Sequence, residues 1–225
     1  MARVHFVSAH FGGEVPWLPR LASTKHDISW NYYHDNNSPS RHLAMHPRLK
    51  AKIPKMLEWR FVESDWYVWM DSSVRLMDKD PVDKILGFVK NKPLCLFRHS
   101  YGGSIAYEAK RVIKALEMKH PYIQDRYLGE PIKEQLLHYL GDPSFVDNNL
   151  FGMTFFVYHK SAINLMEQWF LENMLWTIQD QISFPYVLQK SGLDYSLFDG
   201  YIDDKRGNNL FQWDWIAREK SLLHQ

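Results

Sequence analysis

"WYVWMDSSVRL", residues 66–76, sets five aromatic or aliphatic side chains in a row and then a carboxylate and two hydroxyls. Consecutive apolar residues, as opposed to alternating ones, are the pattern of a strand covered on both faces. Such a strand belongs inside an α/β sheet, and Asp71 falls where it leaves the core. Stretches of the same kind lie on either side. "RVHFVSA" (3–9), "DISWNYY" (27–33), "PLCLFRH" (93–99) and "MTFFVYH" (153–159) are strand-length and rich in Val, Ile, Phe, Tyr or Trp.

Helical patterns separate them. "HPRLKAKIPKMLEWRFV" (46–62) carries an apolar stripe, with Pro54 predicting a kink or a late start. "DPVDKILGFVKN" (80–91) offers Asp80 as N-cap and Pro81 at the first helical position. "SIAYEAKRVIKALEMK" (104–119) and "SAINLMEQWFLENMLW" (161–176) repeat apolar residues every three or four positions, each behind a capping Ser. "DQISFPYVLQKSG" (180–192) ends in Gly192, a C-cap. Strands alternating with helices predict an α/β domain, with a mixed, mainly parallel sheet and helices on both faces. We expect one domain over 1–200, with 201–225 as a C-terminal arm or the start of a linker.

Composition excludes several function classes. Lys+Arg number 27 and Asp+Glu 26, a formal charge of +1, so no global field favours nucleic acid or an anionic membrane. Cys95 is the single cysteine, which rules out an intrachain disulfide and a thiolate metal cluster and suits a cytoplasmic or otherwise reducing compartment. No run approaches the roughly 18 apolar residues of a membrane span, and a soluble protein is expected.

In open α/β sheets ligands bind beyond the carboxyl ends of the strands. Asp71 sits at one such end, and Arg98 and His99 sit at another. A carboxylate and a guanidinium brought to one sheet edge suit a ligand carrying phosphates and a divalent metal. At this point the sequence resembles a glycosyltransferase of the GT-A type. More narrowly it is similar to the TOD1/MUCI70-like domain family, which has plant, bacterial and large-virus members. Four stretches carry the resemblance in order: "VSAHFGG", "RLKAKIPKML" leading into "YVWMDSSVRL", "LFRHSYGGSIAYEA", and "TIQDQISFPYVLQKSGL".

The resemblance implies transfer of a hexose or deoxyhexose from a nucleotide sugar, a UDP-sugar, to a hydroxyl of a glycan or glycoprotein. One setting is the synthesis of a surface or capsid glycan, in a virus or a bacterium. It also implies that Asp71 contacts the ribose or a Mn2+ or Mg2+ ion near the diphosphate, where such an ion neutralises the leaving group. GT-A enzymes usually show Asp-x-Asp there; Ser73 stands at the second position and is a weaker ligand for a hard cation. A literal Asp-x-Asp at Asp78-Lys79-Asp80 reads better as a helix cap.

The remaining candidates each have a plain structural alternative. Arg98 is either a surface ion-pair residue or a bidentate partner for phosphate or a sugar carboxylate, with His99 beside it. Asp180 either caps its helix or accepts hydrogen bonds from sugar hydroxyls, acting as base or as stabiliser of oxocarbenium charge; Gln181 offers an amide to the same hydroxyls. Arg48, Lys50, Lys52 and Lys55 form either a solvated helix face or, at Lys52, a phosphate contact. His10 and Gly12 end the first strand where this fold receives a nucleotide base, Gly12–Gly13 permitting close backbone approach. Asp147, Asn148 and Asn149 suit an acceptor pocket or a turn. From another class, the rival reading is a non-catalytic nucleotide-sugar or carbohydrate-binding domain with a decayed metal site.

Overall fold

All five expected strands form, within a residue or two of their expected bounds: β1 (Arg3–Ala9), β2 (Asp27–Tyr33), β3 (Trp66–Met70), β5 (Leu94–Arg98) and β6 (Phe151–His159). The computed structural model describes residues 1–12, 21, 25–38, 45–76, 81–100 and 102–201, and the backbone of 211–213. With β7 (Ser196–Tyr201) these strands make a six-stranded sheet ordered β2-β1-β3-β6-β5-β7. β1 pairs parallel with both β2 and β3, and β5 pairs parallel with β7. β6 is antiparallel to both its neighbours, so the other five strands all point one way. Their carboxyl ends share one edge, and β6 starts there. β4 (Val74–Leu76) lies outside this sheet and pairs with β8 (Phe211–Trp213).

The pleat assigns each strand residue a face. Val7, Tyr67 and Trp69 pack on one side of the sheet, beneath α1 (Pro47–Leu57), α6 (Ile163–Leu175) and α7 (Asp180–Ser191). Phe6, Val68 and Met70 pack on the other, with Val82 and Ile85 of α2 (Pro81–Val89). The consecutive apolar run of β3 is thus explained by cover on both faces. α3 (Ile105–Glu117), α4 (Pro121–Tyr127) and α5 (Ile132–Leu140) build a third cluster against α7, centred on Ile105, Val112, Tyr139 and Ile182.

Helix ends follow local chemistry. Ser104 caps α3 by accepting from the Tyr107 amide, and Gly192 ends α7 at φ +64°, as its sequence predicts. α1 begins at Pro47 and runs through Pro54, so the late start is not realised; the His46 ring accepts from the Arg48 amide at its beginning. Ser161 does not cap α6, because it lies in a 3₁₀ turn and the helix starts at Ile163. Asp78, Asp80 and Gly13 lie outside the described residues.

Candidate active site

Period-two alternation puts Asp71 on the face that carries Tyr67 and Trp69, the side of α1 and α7. The Asp71 amide donates to the Thr154 carbonyl at 2.8 Å, and its carbonyl accepts from the Val74 amide at 2.9 Å. Trp69 Nε1 donates to Asp71 Oδ1 at 2.7 Å. Oδ2 has no hydrogen-bond partner among the described residues, and the side chain is 40% exposed at the rim.

α1 brings two lysines to the same place. Lys52 and Lys55 are three residues apart and therefore share a helix face. Lys52 Nζ donates to Asp180 Oδ1 at 2.5 Å, and Lys55 Nζ donates to Asp180 Oδ2 at 2.8 Å and to the Met153 carbonyl at 2.7 Å. Lys55 Nζ also stands 3.8 Å from Asp71 Oδ1. Three rings enclose it, with centroids at 5.2 Å for Trp69, 5.9 Å for Phe156 and 5.8 Å for Trp169. Charges therefore alternate along Lys52, Asp180, Lys55 and Asp71, and all but the last are buried.

Burial pushes the Asp180 carboxyl up, but Lys52 and Lys55 outweigh it and hold the group below the usual carboxylate range. Burial lowers Lys52 to about 8 against the pull of Asp180, with Lys55 repelling it as well. The cost of removing such ions from water is offset by this mutual pairing and, for Lys55, by the Met153 carbonyl and the surrounding rings.

Asp180 opens α7 as the sequence predicts, yet its side chain faces inward to the lysines instead of outward to solvent. Its neighbour Gln179 is held from the other side: Tyr127 Oη donates to Gln179 Oε1 at 2.6 Å, and Gln179 Nε2 donates to Glu108 Oε1 at 2.7 Å. Glu108 is fully buried and pairs with Arg111. Gln181, next along α7, is half-buried.

The other candidates line the same sheet edge. His10 follows β1, and its Nδ1 lies 3.0 Å from Ser72 Oγ. Gly12 has φ +80°, and its amide donates to Asp35 Oδ2 at 2.8 Å. That left-handed conformation is what favours glycine, since a Cβ there would only make ordinary contact with the Pro47 ring at 3.7 Å. Arg98 ends β5 exposed at the sheet edge, with no ion-pair partner among the described residues. The His99 amide donates to the Leu150 carbonyl at 3.0 Å, and Ser73 sits in the turn between β3 and β4. Asp147 takes a different place: it accepts from Ser104 Oγ, the Ile105 amide and the Ala106 amide at 2.6–3.0 Å and so holds the start of α3. Gly103 lets that turn close, because a Cβ there would stand 3.1 Å from the Asn148 carbonyl oxygen.

Lys55, Gln179 and Glu108 did not stand out as site residues in the sequence. The three-residue spacing of Lys52 and Lys55 was the available signal for the first. The pairing of Glu108 with Gln179 joins two helices far apart in the chain and leaves no local trace.

No group of three His, Cys, Asp or Glu side chains that could hold a metal occurs among the described residues. One carboxylate oxygen of Asp71, without a hydrogen-bond partner among the described residues, suits one position of a hard-cation shell, and Ser73 carries a neutral hydroxyl two residues on in the same turn. Mg2+-type ions are commonly held by one or two carboxylates, water and substrate phosphates. A surface cavity of about 200 Å3 beside α7, lined by Asn148, Asn149, Phe151, Leu188, Gln189 and Tyr195 among others, has no carboxylate, imidazole or cationic side chain in its wall.

Residues 40–208 match the TOD1/MUCI70, glycosyltransferase-like domain family. The chain belongs to that family. The matched stretch contains Lys52, Lys55, Asp71, Arg98 and Asp180, so the whole alternating charge chain lies within the TOD1/MUCI70 domain. No curated protein sequence matches the chain. Among solved structures the chain is similar to a "glycosyltransferase involved in the glycosylation of the major capsid of PBCV-1", with 11% identity and a TM-score of 0.36. That similarity covers 76% of this chain and 66% of the other, so this TOD1/MUCI70 chain spans under two thirds of that neighbour's length. No helix among the described residues is long and apolar enough to cross a membrane.

Proposed function

We propose that this protein transfers a hexose or deoxyhexose from a UDP-sugar to a hydroxyl of a glycan or glycoprotein. The observation that supports this best is membership of a glycosyltransferase-like family over a stretch containing Asp71, Arg98 and Asp180. In this reading His10 and Gly12 receive the uracil and ribose at the end of β1. Arg98 and His99 meet the diphosphate, the guanidinium matching two phosphate oxygens at once. Asp71 and Ser73 would hold a Mn2+ or Mg2+ ion arriving with the diphosphate, and such an ion supplies charge neutralisation to the leaving nucleotide.

Asp180 is held ionised and immobile by two ammonium groups. In that setting its charge acts as a preorganised field at the sugar end of the site, against the positive charge that develops at the anomeric carbon. Lys52 and Lys55 keep that field fixed, and Gln181 offers its amide to sugar hydroxyls.

A thermal-shift series with UDP, GDP, ADP and CDP, each with Mn2+ and with chelator, tests the reading. A ligand that binds only the native state at 100 times its Kd stabilises by about 2.7 kcal/mol. The expected result is the largest shift for UDP, increased by Mn2+. Equal shifts for all four nucleotides would remove the uridine assignment. Absence of transfer or hydrolysis with every UDP-sugar tried would leave a binding domain in place of an enzyme.

A further inference from the structure

Two guanidinium groups near the Lys52–Asp180 pair remain unexplained. Arg48 lies one helical turn before Lys52 on α1, and one of its Nη atoms donates to Asp125 Oδ2 at 2.9 Å. Asp125 is on α4 and is followed by Arg126, whose guanidinium stacks 3.8 Å above the Tyr122 ring. The Nε atoms of both Arg48 and Arg126 are buried and have no hydrogen-bond acceptor among the described residues. Buried donors are nearly always satisfied, and an orphaned one commonly marks an ion or water.

The charge balance points the same way. Among the described residues one carboxylate, itself 70% exposed, stands against two cations. Burial lowers the pKa of Arg48, and the charge of Arg126 lowers it further, so the two groups repel each other across the site. A neutral sugar hydroxyl would satisfy an Nε–H but would not relieve that repulsion. An oxyanion does both, since guanidinium donors match paired phosphate or carboxylate oxygens. The location is also apt: Tyr127, next to Arg126, holds Gln179 immediately before Asp180.

We infer that Arg48 and Arg126 form an oxyanion site that takes a phosphate, sulfate or carboxylate group carried by a substrate of this protein. The site deepens the transfer reading, on which its role rests, but its existence can be measured separately. Inorganic phosphate is the probe, titrated into the full chain by calorimetry and followed through the arginine Nε–H resonances in NMR spectra. The expected result is that the Nε–H signals of Arg48 and Arg126 shift together with phosphate. Arg48→Gln and Arg126→Gln should each weaken that binding by about tenfold or more, the scale of one lost charge-assisted contact. Lys92→Gln, a change in an exposed ion pair on another face, should leave it unchanged.

Wild-type signals that do not move with phosphate would overturn the inference even if a variant failed to fold. Calorimetric curves for both variants that match wild type would overturn it too. Saturating UDP identifies the source of the group: displacement of phosphate assigns the site to the donor diphosphate, and simultaneous binding assigns it to an acidic group on the acceptor. If phosphate binds here but no UDP-sugar is turned over, the oxyanion site stands and the transfer reading falls.

Discussion

Asp71 and Asp180 share one ammonium group: Lys55 Nζ lies 3.8 Å from the first carboxylate and 2.8 Å from the second. A residue at the end of a central strand and a residue at the start of a late helix are thereby fixed relative to each other through α1. Displacing any of the three moves the other two.

Asp180→Asn should therefore lower both turnover and stability. It leaves two buried ammonium groups facing a neutral amide, a loss of about 3 kcal/mol on the scale of a broken buried pair. Were Asp180 only a helix cap, the loss would be nearer 1 kcal/mol or less. Turnover of a UDP-sugar should fall about 10²–10⁴-fold. Denaturant melts and kinetics on the same samples separate the two effects, and unchanged turnover would remove Asp180 from the reaction.

Lys52 gives the stability a defined pH dependence. Its folded pKa of about 8 lies below the ordinary 10.5, so the folded chain loses that proton first. The unfolded state then binds more protons between these values, and stability rises with pH from about 8 to 10.5 on account of this group. Below 8 Lys52 adds no slope. Asp180 acts at the other end of the scale: its folded pKa is depressed, so its contribution is present above 3.8 and is lost as pH falls through the folded value. The difference in melting temperature between wild type and Lys52→Met, followed from pH 7 to 10, should change across pH 8–10. A flat difference would contradict the shift.

Arg98→Gln should leave the melting curve unchanged, because the side chain is exposed and without an ion-pair partner among the described residues. UDP affinity should drop about tenfold, as for loss of one charge-assisted contact. Calorimetry with UDP reads this directly, and equal affinities would return Arg98 to the status of a surface residue.

Asp71→Asn should abolish the gain in UDP affinity produced by Mn2+ while UDP binding in chelator persists. The substitution keeps an acceptor for Trp69 Nε1 and removes the hard anionic oxygen. Identical Mn2+ gains in wild type and variant would place the ion elsewhere.

The sheet was legible in the sequence because it is recorded locally. Uninterrupted apolar runs such as 66–70, short and rich in aromatic and β-branched residues, read as strands with both faces covered, and Asp71 ends one of them. α7 was equally plain, with Asp180 at its start and Gly192 at its end. The inward turn of Asp180 was not legible, since a capping Asp and a buried, doubly paired Asp look alike until α1 is placed against α7. The same holds for Lys55, whose aromatic surroundings come from β3, β6 and α6. The α4–α5 pair was missed because its helices are short and their apolar residues face a local cluster instead of the sheet. The antiparallel course of β6 is set by the chain returning through α3, α4 and α5, which no local pattern encodes.

The aromatic surroundings of Lys55 have an optical consequence. An excited indole shifts electron density across its two rings, so a fixed positive charge nearby changes the colour of its emission. Trp69 and Trp169 both sit within 6 Å of the Lys55 ammonium. The difference in emission between wild type and Lys55→Met isolates these two indoles from the other tryptophans, and no difference would mean the charge is not where the geometry puts it. With that difference in hand, the protein reports the charge state of its own candidate site by intrinsic fluorescence, with no label attached.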